Sequence, residues 1–160
     1  MNDDRLVSLD RMRYIKNTTS SRLALLAIVF NVLFFVSIYQ SNYTYYYTIT
    51  MGASIIYNLI FLLMAFLSSE GVKNYKRGYS WLLIALGVGQ VVRVSILPAS
   101  AHSEPYNVGG QAFVMETGQY VYTITCLLLS AVCCIASAVI NLIKSRQLEK
   151  HVASLEAKAA

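Results

Sequence analysis

The chain has 160 residues, 56% of them hydrophobic and 13% charged, with a formal net charge of +5. A soluble domain carries about 25% charged residues, so too few charges remain here to coat a water-facing globule. That balance excludes a nucleic-acid module, a disordered tail and a small secreted disulfide scaffold, and points to lipid as much of the solvent.

Residues 1–22 form a basic segment with Arg5, Arg11, Arg13, Lys16 and Arg22. Leu6, Leu9, Met12 and Ile15 alternate with those cations, a modest signal for an interfacial helix. The first apolar run, 23–39, follows that polar lead, and no small-residue cleavage site precedes Tyr39. It is therefore read as a spanning helix and not as a signal peptide. Ser20 and Ser21 are expected to cap it. Further apolar runs cover 49–67, 81–97 and 120–143. These lengths meet the requirement of about 17–25 residues for a membrane crossing. Tyrosines crowd the loop 40–48, while Tyr75, Tyr79 and Trp81 mark the opposite boundary, as amphipathic rings do at headgroup level.

Pro98 is expected to end the third span, because proline has no N–H to donate. In the loop 98–119, the Gly109-Gly110 pair between short β-prone stretches predicts a hairpin. Beyond the fourth span, the tail 144–160 reads as a helix continuing from it. Leu148, Val152 and Leu155 follow the spacing of a coiled-coil seam, a candidate contact for another subunit.

Charge placement orients the chain. Every Lys and Arg except Arg93 lies in the N-terminal segment, in the loop between spans two and three, or in the tail. The loops 40–48 and 98–119 contain none. Basic residues near span ends stay on the cytoplasmic side, so both termini are expected there. The same residues would attract anionic lipid at about 1 kcal/mol each near the surface; nucleic acid is not expected as a partner.

Arg93 is the sharpest residue of the sequence. It lies about 18 Å beyond Trp81 along a helix, in the outer half of the third span. A charge at the centre of a spanning helix costs about 2.5–3.5 kcal/mol on insertion scales. Three outcomes are open: snorkelling to the surface, pairing with a carboxylate, or binding an anion. Glu116 is the favoured counter-ion, and Gln90 shares the helix face of Arg93. Asn31 and Asn58 each offer an amide for bonds between helices, worth about 0.6 kcal/mol on average in membranes. Ala85 and Gly89 lie on the Arg93 face and suit close packing. Ser130, Cys134, Ser137 and Asn141 form a small polar stripe on the fourth span, again read as a helix contact.

The cysteines, Cys126, Cys133 and Cys134, are all in the fourth span and lack the spacing of a disulfide framework or metal motif. His102, Glu104 and Glu116 make only a weak zinc set. No metal and no cofactor are expected, and no nucleophile–base pair or phosphate-cradling loop stands out.

The reading is an all-α, integral membrane antiparallel four-helix bundle with both termini cytoplasmic. It comprises the segment 1–22, a transmembrane domain 23–143 and a helical tail 144–160. The expected function is that of a non-catalytic multi-pass protein of the plasma membrane. It would act as a small subunit of a larger complex, with another membrane protein or a second copy as partner. The alternative is a small transporter or channel for an anion or neutral solute that uses Arg93 and Gln90.

Overall fold

A computed structural model describes residues 16–40, 49–103, 106–108, 111–113 and 115–159. The long helices are α1 (Thr18–Gln40), α2 (Ile49–Lys73), α3 (Arg77–Ser103) and α4 (Thr117–Ala159). Each is long and apolar enough to cross a membrane. Between α3 and α4, β1 (Tyr106–Val108) pairs with β2 (Gln111–Phe113) as an antiparallel hairpin, with Tyr106 opposite Phe113 and Val108 opposite Gln111. The hairpin expected from the Gly-Gly pair is thus present, although the glycines themselves lie outside the described residues. The N-terminal interfacial segment and the tyrosines of the loop 40–48 also lie outside them.

The helices form a ring in chain order, α4 closing it against α1. Neighbours run antiparallel: Ser21 meets Ser69 while Asn31 meets Asn58, and Arg77 meets Ser145 while Gly87 meets Cys134. The seams of α4 with α1 and α3 are extensive, and the α2–α3 seam is looser.

Polarity is inverted relative to a soluble bundle. Leu59 is 62% exposed and Leu63, Phe66, Val92 and Val132 are also turned outward, whereas Ser20, Asn31, Gln90, Ser130, Ser137 and Asn141 are buried. Several of these polar side chains are satisfied across a helix seam, as buried polar groups require. On α1–α4, the Ser130 hydroxyl donates to the Ala27 carbonyl at 2.9 Å. Ser20 and Ser137 each donate to the other's backbone carbonyl. Asn141 donates to the Ser80 hydroxyl at 2.7 Å and to the Lys76 carbonyl at 3.3 Å, tying α4 to the start of α3.

Three local expectations are corrected. The cap of α1 is Asn17, not Ser20 or Ser21: its side-chain oxygen accepts the Ser20 N–H at 3.5 Å and its carbonyl the Ser21 N–H at 3.3 Å. The helix therefore begins a turn earlier, and the serines bond across seams. Pro98 does not end α3, which continues through it to Ser103. Its missing N–H forfeits one helical bond, but the last turn is secured by Ser103 donating to the Ala99 carbonyl at 2.8 Å and by the His102 ring stacked on Tyr120 at 4.3 Å. Finally, Ala85 is exposed and makes no close seam. The α3–α4 approach uses Gly87, where an added Cβ would lie 2.9 Å from Ile135 and 3.2 Å from the Ala131 carbonyl.

The α2–α3 turn follows the hydrogen-bond pattern of a Schellman motif. The Lys76 N–H bonds the Gly71 carbonyl at 3.1 Å and the Tyr75 N–H bonds the Val72 carbonyl at 3.1 Å. Tyr75 occupies the left-handed position with φ of 59°, usually a glycine. Gly71 lets the Tyr79 ring close onto α2: an added Cβ would stand 2.1 Å from its Cδ2.

Candidate functional site

Spacing along three helices converges on one point. Asn31 and Phe34 are one turn apart on α1, as are Ser54, Tyr57 and Asn58 on α2, and Gln90 and Arg93 on α3. Arg93 is only 5% exposed. Its Nη1 donates to Asn58 Oδ1 at 2.7 Å and to Asn31 Oδ1 at 3.3 Å, and its Nη2 to Ser54 Oγ at 3.1 Å. The guanidinium carbon lies 4.4 Å from the centre of the Phe34 ring and 4.9 Å from that of Tyr57. Both distances suit cation–π attraction, which strengthens where water is excluded.

The two asparagines are linked, Asn31 Nδ2 donating to Asn58 Oδ1 at 3.3 Å, and Gln90 Nε2 donates to Asn31 Oδ1 at 3.0 Å. Asn31 is therefore the hub, using both ends of its amide. Asn58 Nδ2 and Gln90 Oε1 are buried and lack a partner among the described residues.

Glu116, expected as the counter-ion of Arg93, is not among these acceptors. It is exposed in the segment before α4, whereas the arginine turns toward α1 and α2. Neutral amide and hydroxyl oxygens orient the guanidinium within the bundle, so the side chain does not snorkel outward.

Beside this cluster a groove of about 350 Å³ runs along the α2–α3 seam, lined by Ala53, Ser54 and Tyr57 on one side and by Gly89, Val92, Arg93 and Ile96 on the other. Ala53, Val92 and Ile96 are exposed and form its lips. Gly89 helps shape the wall, since an added Cβ would stand 2.7 Å from the Tyr57 hydroxyl.

The other expected residues divide between the seams and the tail. Ser130, Cys134, Ser137 and Asn141 are buried, with Cys134 facing Gly87. Leu148 and Val152 are half-buried on the far part of α4, and the side chain of Leu155 lies outside the described residues. His102 turns its Nδ1 to the Met115 carbonyl at 3.1 Å. Among the described residues, no group of three or more His, Cys, Asp or Glu stands where it would hold a metal ion.

The sequence reading missed Ser54, Phe34 and Tyr57. Their signal was present in the one-turn spacing to Asn31 and Asn58. Asn17 was also missed; its amide accepts from Lys144 Nζ at 3.2 Å and donates to Asn141 Oδ1 at 3.2 Å.

Fold and site together define a ring of four membrane-span-capable helices around a buried arginine–amide cluster. Comparison with protein-family models, curated proteins and solved structures finds no match for the chain.

Proposed function

We propose that the chain is a non-catalytic polytopic membrane protein, both termini cytoplasmic, that serves as a small subunit or interaction partner of a larger complex in the plasma membrane. The observation carrying this reading is the length of α4. Its 43 residues extend about 65 Å, roughly twice the hydrocarbon thickness of about 30 Å. The excess leaves the bundle as one helical arm at the end where Arg77, Lys144 and Arg146 gather. At its base, Arg77 donates to Ser145 Oγ at 3.2 Å and pairs with Glu149 at 2.6 Å, fixing its direction. A held arm with Leu148 and Val152 spaced for a helix seam suits a docking element. The direct test is native mass spectrometry of the full chain from mild detergent, beside a chain ending after Arg146. A bound protein or second copy on the full chain, lost on truncation, is the expected result; a lone protomer under all conditions would refute it.

A second reading, carriage of an anion or neutral solute, is favoured by the groove that Arg93 reaches. Liposome flux of the native chain and of Arg93→Leu tests it: equal flux, or none in either, removes that role for Arg93.

A further inference from the structure

We infer that the α2–α3 groove is a binding site for a single-chain amphiphile with an oxyanion head, a fatty carboxylate or an alkyl phosphate, drawn from the surrounding lipid. The inference needs the bundle to stand in a bilayer but is independent of the docking role of the α4 arm. Three observations support it. The groove volume of about 350 Å³ lies within the range of about 300–1,000 Å³ typical of small-molecule sites. Its walls join an apolar surface, from Val92, Ile96 and Ala53, to one cation, from Arg93, and two hydroxyls, from Ser54 and Tyr57. That pairing matches a molecule with a hydrocarbon chain and one charged end. Beside Arg93, the Asn58 Nδ2 is a buried donor with no acceptor among the described residues, so the cluster retains capacity to bond an oxygen.

The position of the groove also selects lipid as the source. Its lips, Ala53, Val92 and Ile96, are on the exposed surface of the bundle, so the route in is lateral. Arg93 is about 15 Å of helix from Ser103, and Ser54 about 8 Å from Ile49, at 1.5 Å per residue. Both distances put Arg93 and Ser54 below the ends of their helices, so a head group meets them from the side of the bundle. A head that arrives attached to its own hydrocarbon avoids the cost of carrying a bare anion there. The positive charge of the guanidinium attracts a carboxylate or phosphate, and exclusion of water strengthens the attraction.

The test uses the full chain in dodecyl maltoside, titrated separately with palmitate, hexadecyl phosphate, hexadecanol and inorganic phosphate, with bound ligand read by native mass spectrometry. At least one chained oxyanion should be retained at one per protomer and bind about tenfold tighter than hexadecanol, the scale of one charge-assisted hydrogen bond. Inorganic phosphate should not be retained. Arg93→Gln should reduce the oxyanion to the affinity of the alcohol. Because that substitution also disturbs the buried cluster, Ala53→Phe provides the second arm: it fills the groove from an exposed position and should abolish retention with the melting temperature unchanged. Equal affinity for alcohol and oxyanions, retention of none of them, or undiminished binding by Ala53→Phe would each overturn the inference.

Discussion

The two buried asparagines beside Arg93 should respond very differently to the same substitution. Asn31→Leu removes an oxygen that accepts from Gln90 and Arg93 and an amide N–H that donates to Asn58. At about 0.6 kcal/mol per bond in a membrane bundle, those losses come to about 2 kcal/mol. The substitution also strands Gln90 Nε2 beside a Gln90 Oε1 that already lacks a partner among the described residues. An orphaned buried amide adds about 1–3 kcal/mol, so Asn31→Leu should cost about 3–5 kcal/mol. Asn58→Leu removes two bonds, from Arg93 and Asn31, and strands Asn31 Nδ2, but it also removes an unpartnered Nδ2 whose burial is itself unfavourable, so one orphaned amide replaces another. The effects oppose, leaving a net change within about 1 kcal/mol. Equilibrium unfolding in mixed micelles of dodecyl maltoside and sodium dodecyl sulfate, followed by far-UV circular dichroism, measures both. If Asn58→Leu proves as damaging as Asn31→Leu, the assignment of Asn31 as hub is wrong.

Three further expectations follow from packing. Gly71→Ala sets a methyl against the Tyr79 ring and Gly87→Leu forces α3 from α4, so each should lower stability by about 1–3 kcal/mol or more, whereas Gly52→Ala meets nothing within 4 Å and should be neutral or slightly stabilising. The same unfolding assay ranks them. Pro98→Ala restores a donor to a helix that already passes through this position, and after allowing for lost packing should raise stability by about 1–2 kcal/mol; a decrease would mean that the proline ring is needed where it is buried. Arg77→Ala removes an exposed ion pair, so global stability should fall by no more than about 1 kcal/mol. Amide exchange in α4 beyond Ser145 should rise nonetheless, because the base of the arm is released.

Much of this fold was legible because a spanning helix writes itself as an uninterrupted apolar run, and a polar residue inside such a run must face another helix. Arg93, Gln90, Asn31 and Asn58 were found on that ground. Ser54 was not foreseen beside Arg93 because formal charge was sought, while a cluster of amide and hydroxyl oxygens also orients a guanidinium. The tight α3–α4 position was missed because the face was counted from Arg93 through Gly89 to Ala85. The buried stripe instead runs Ser80, Leu83, Gly87 and Gln90, the alternating three- and four-residue steps of a helix seam. Pro98 and Asn17 mark a different limit: local rules end and cap helices one at a time, whereas here a tertiary contact carries the helix past the nearest local signal. For Pro98 it is the His102–Tyr120 stack, and for Asn17 the bonds to Asn141 and Lys144.

The distribution of bonds around the ring also predicts where the bundle is weakest. The α1–α4 seam is fastened by the reciprocal Ser20–Ser137 pair and by Ser130, and α3–α4 by Asn141. Within the bundle, the side-chain hydrogen bonds from α3 to α2 among the described residues all come from Arg93, to Asn58 and Ser54. The residue that fastens this seam is also the one that gives the adjacent groove its charge. Arg93→Leu should therefore loosen a single edge: amide exchange should rise over residues 52–60 of α2, while the buried centre of α4 around Ser130 and Ser137 keeps its protection. Equal acceleration in both helices would mean that the arginine supports the whole ring, and that the α2–α3 seam is no weaker than the others.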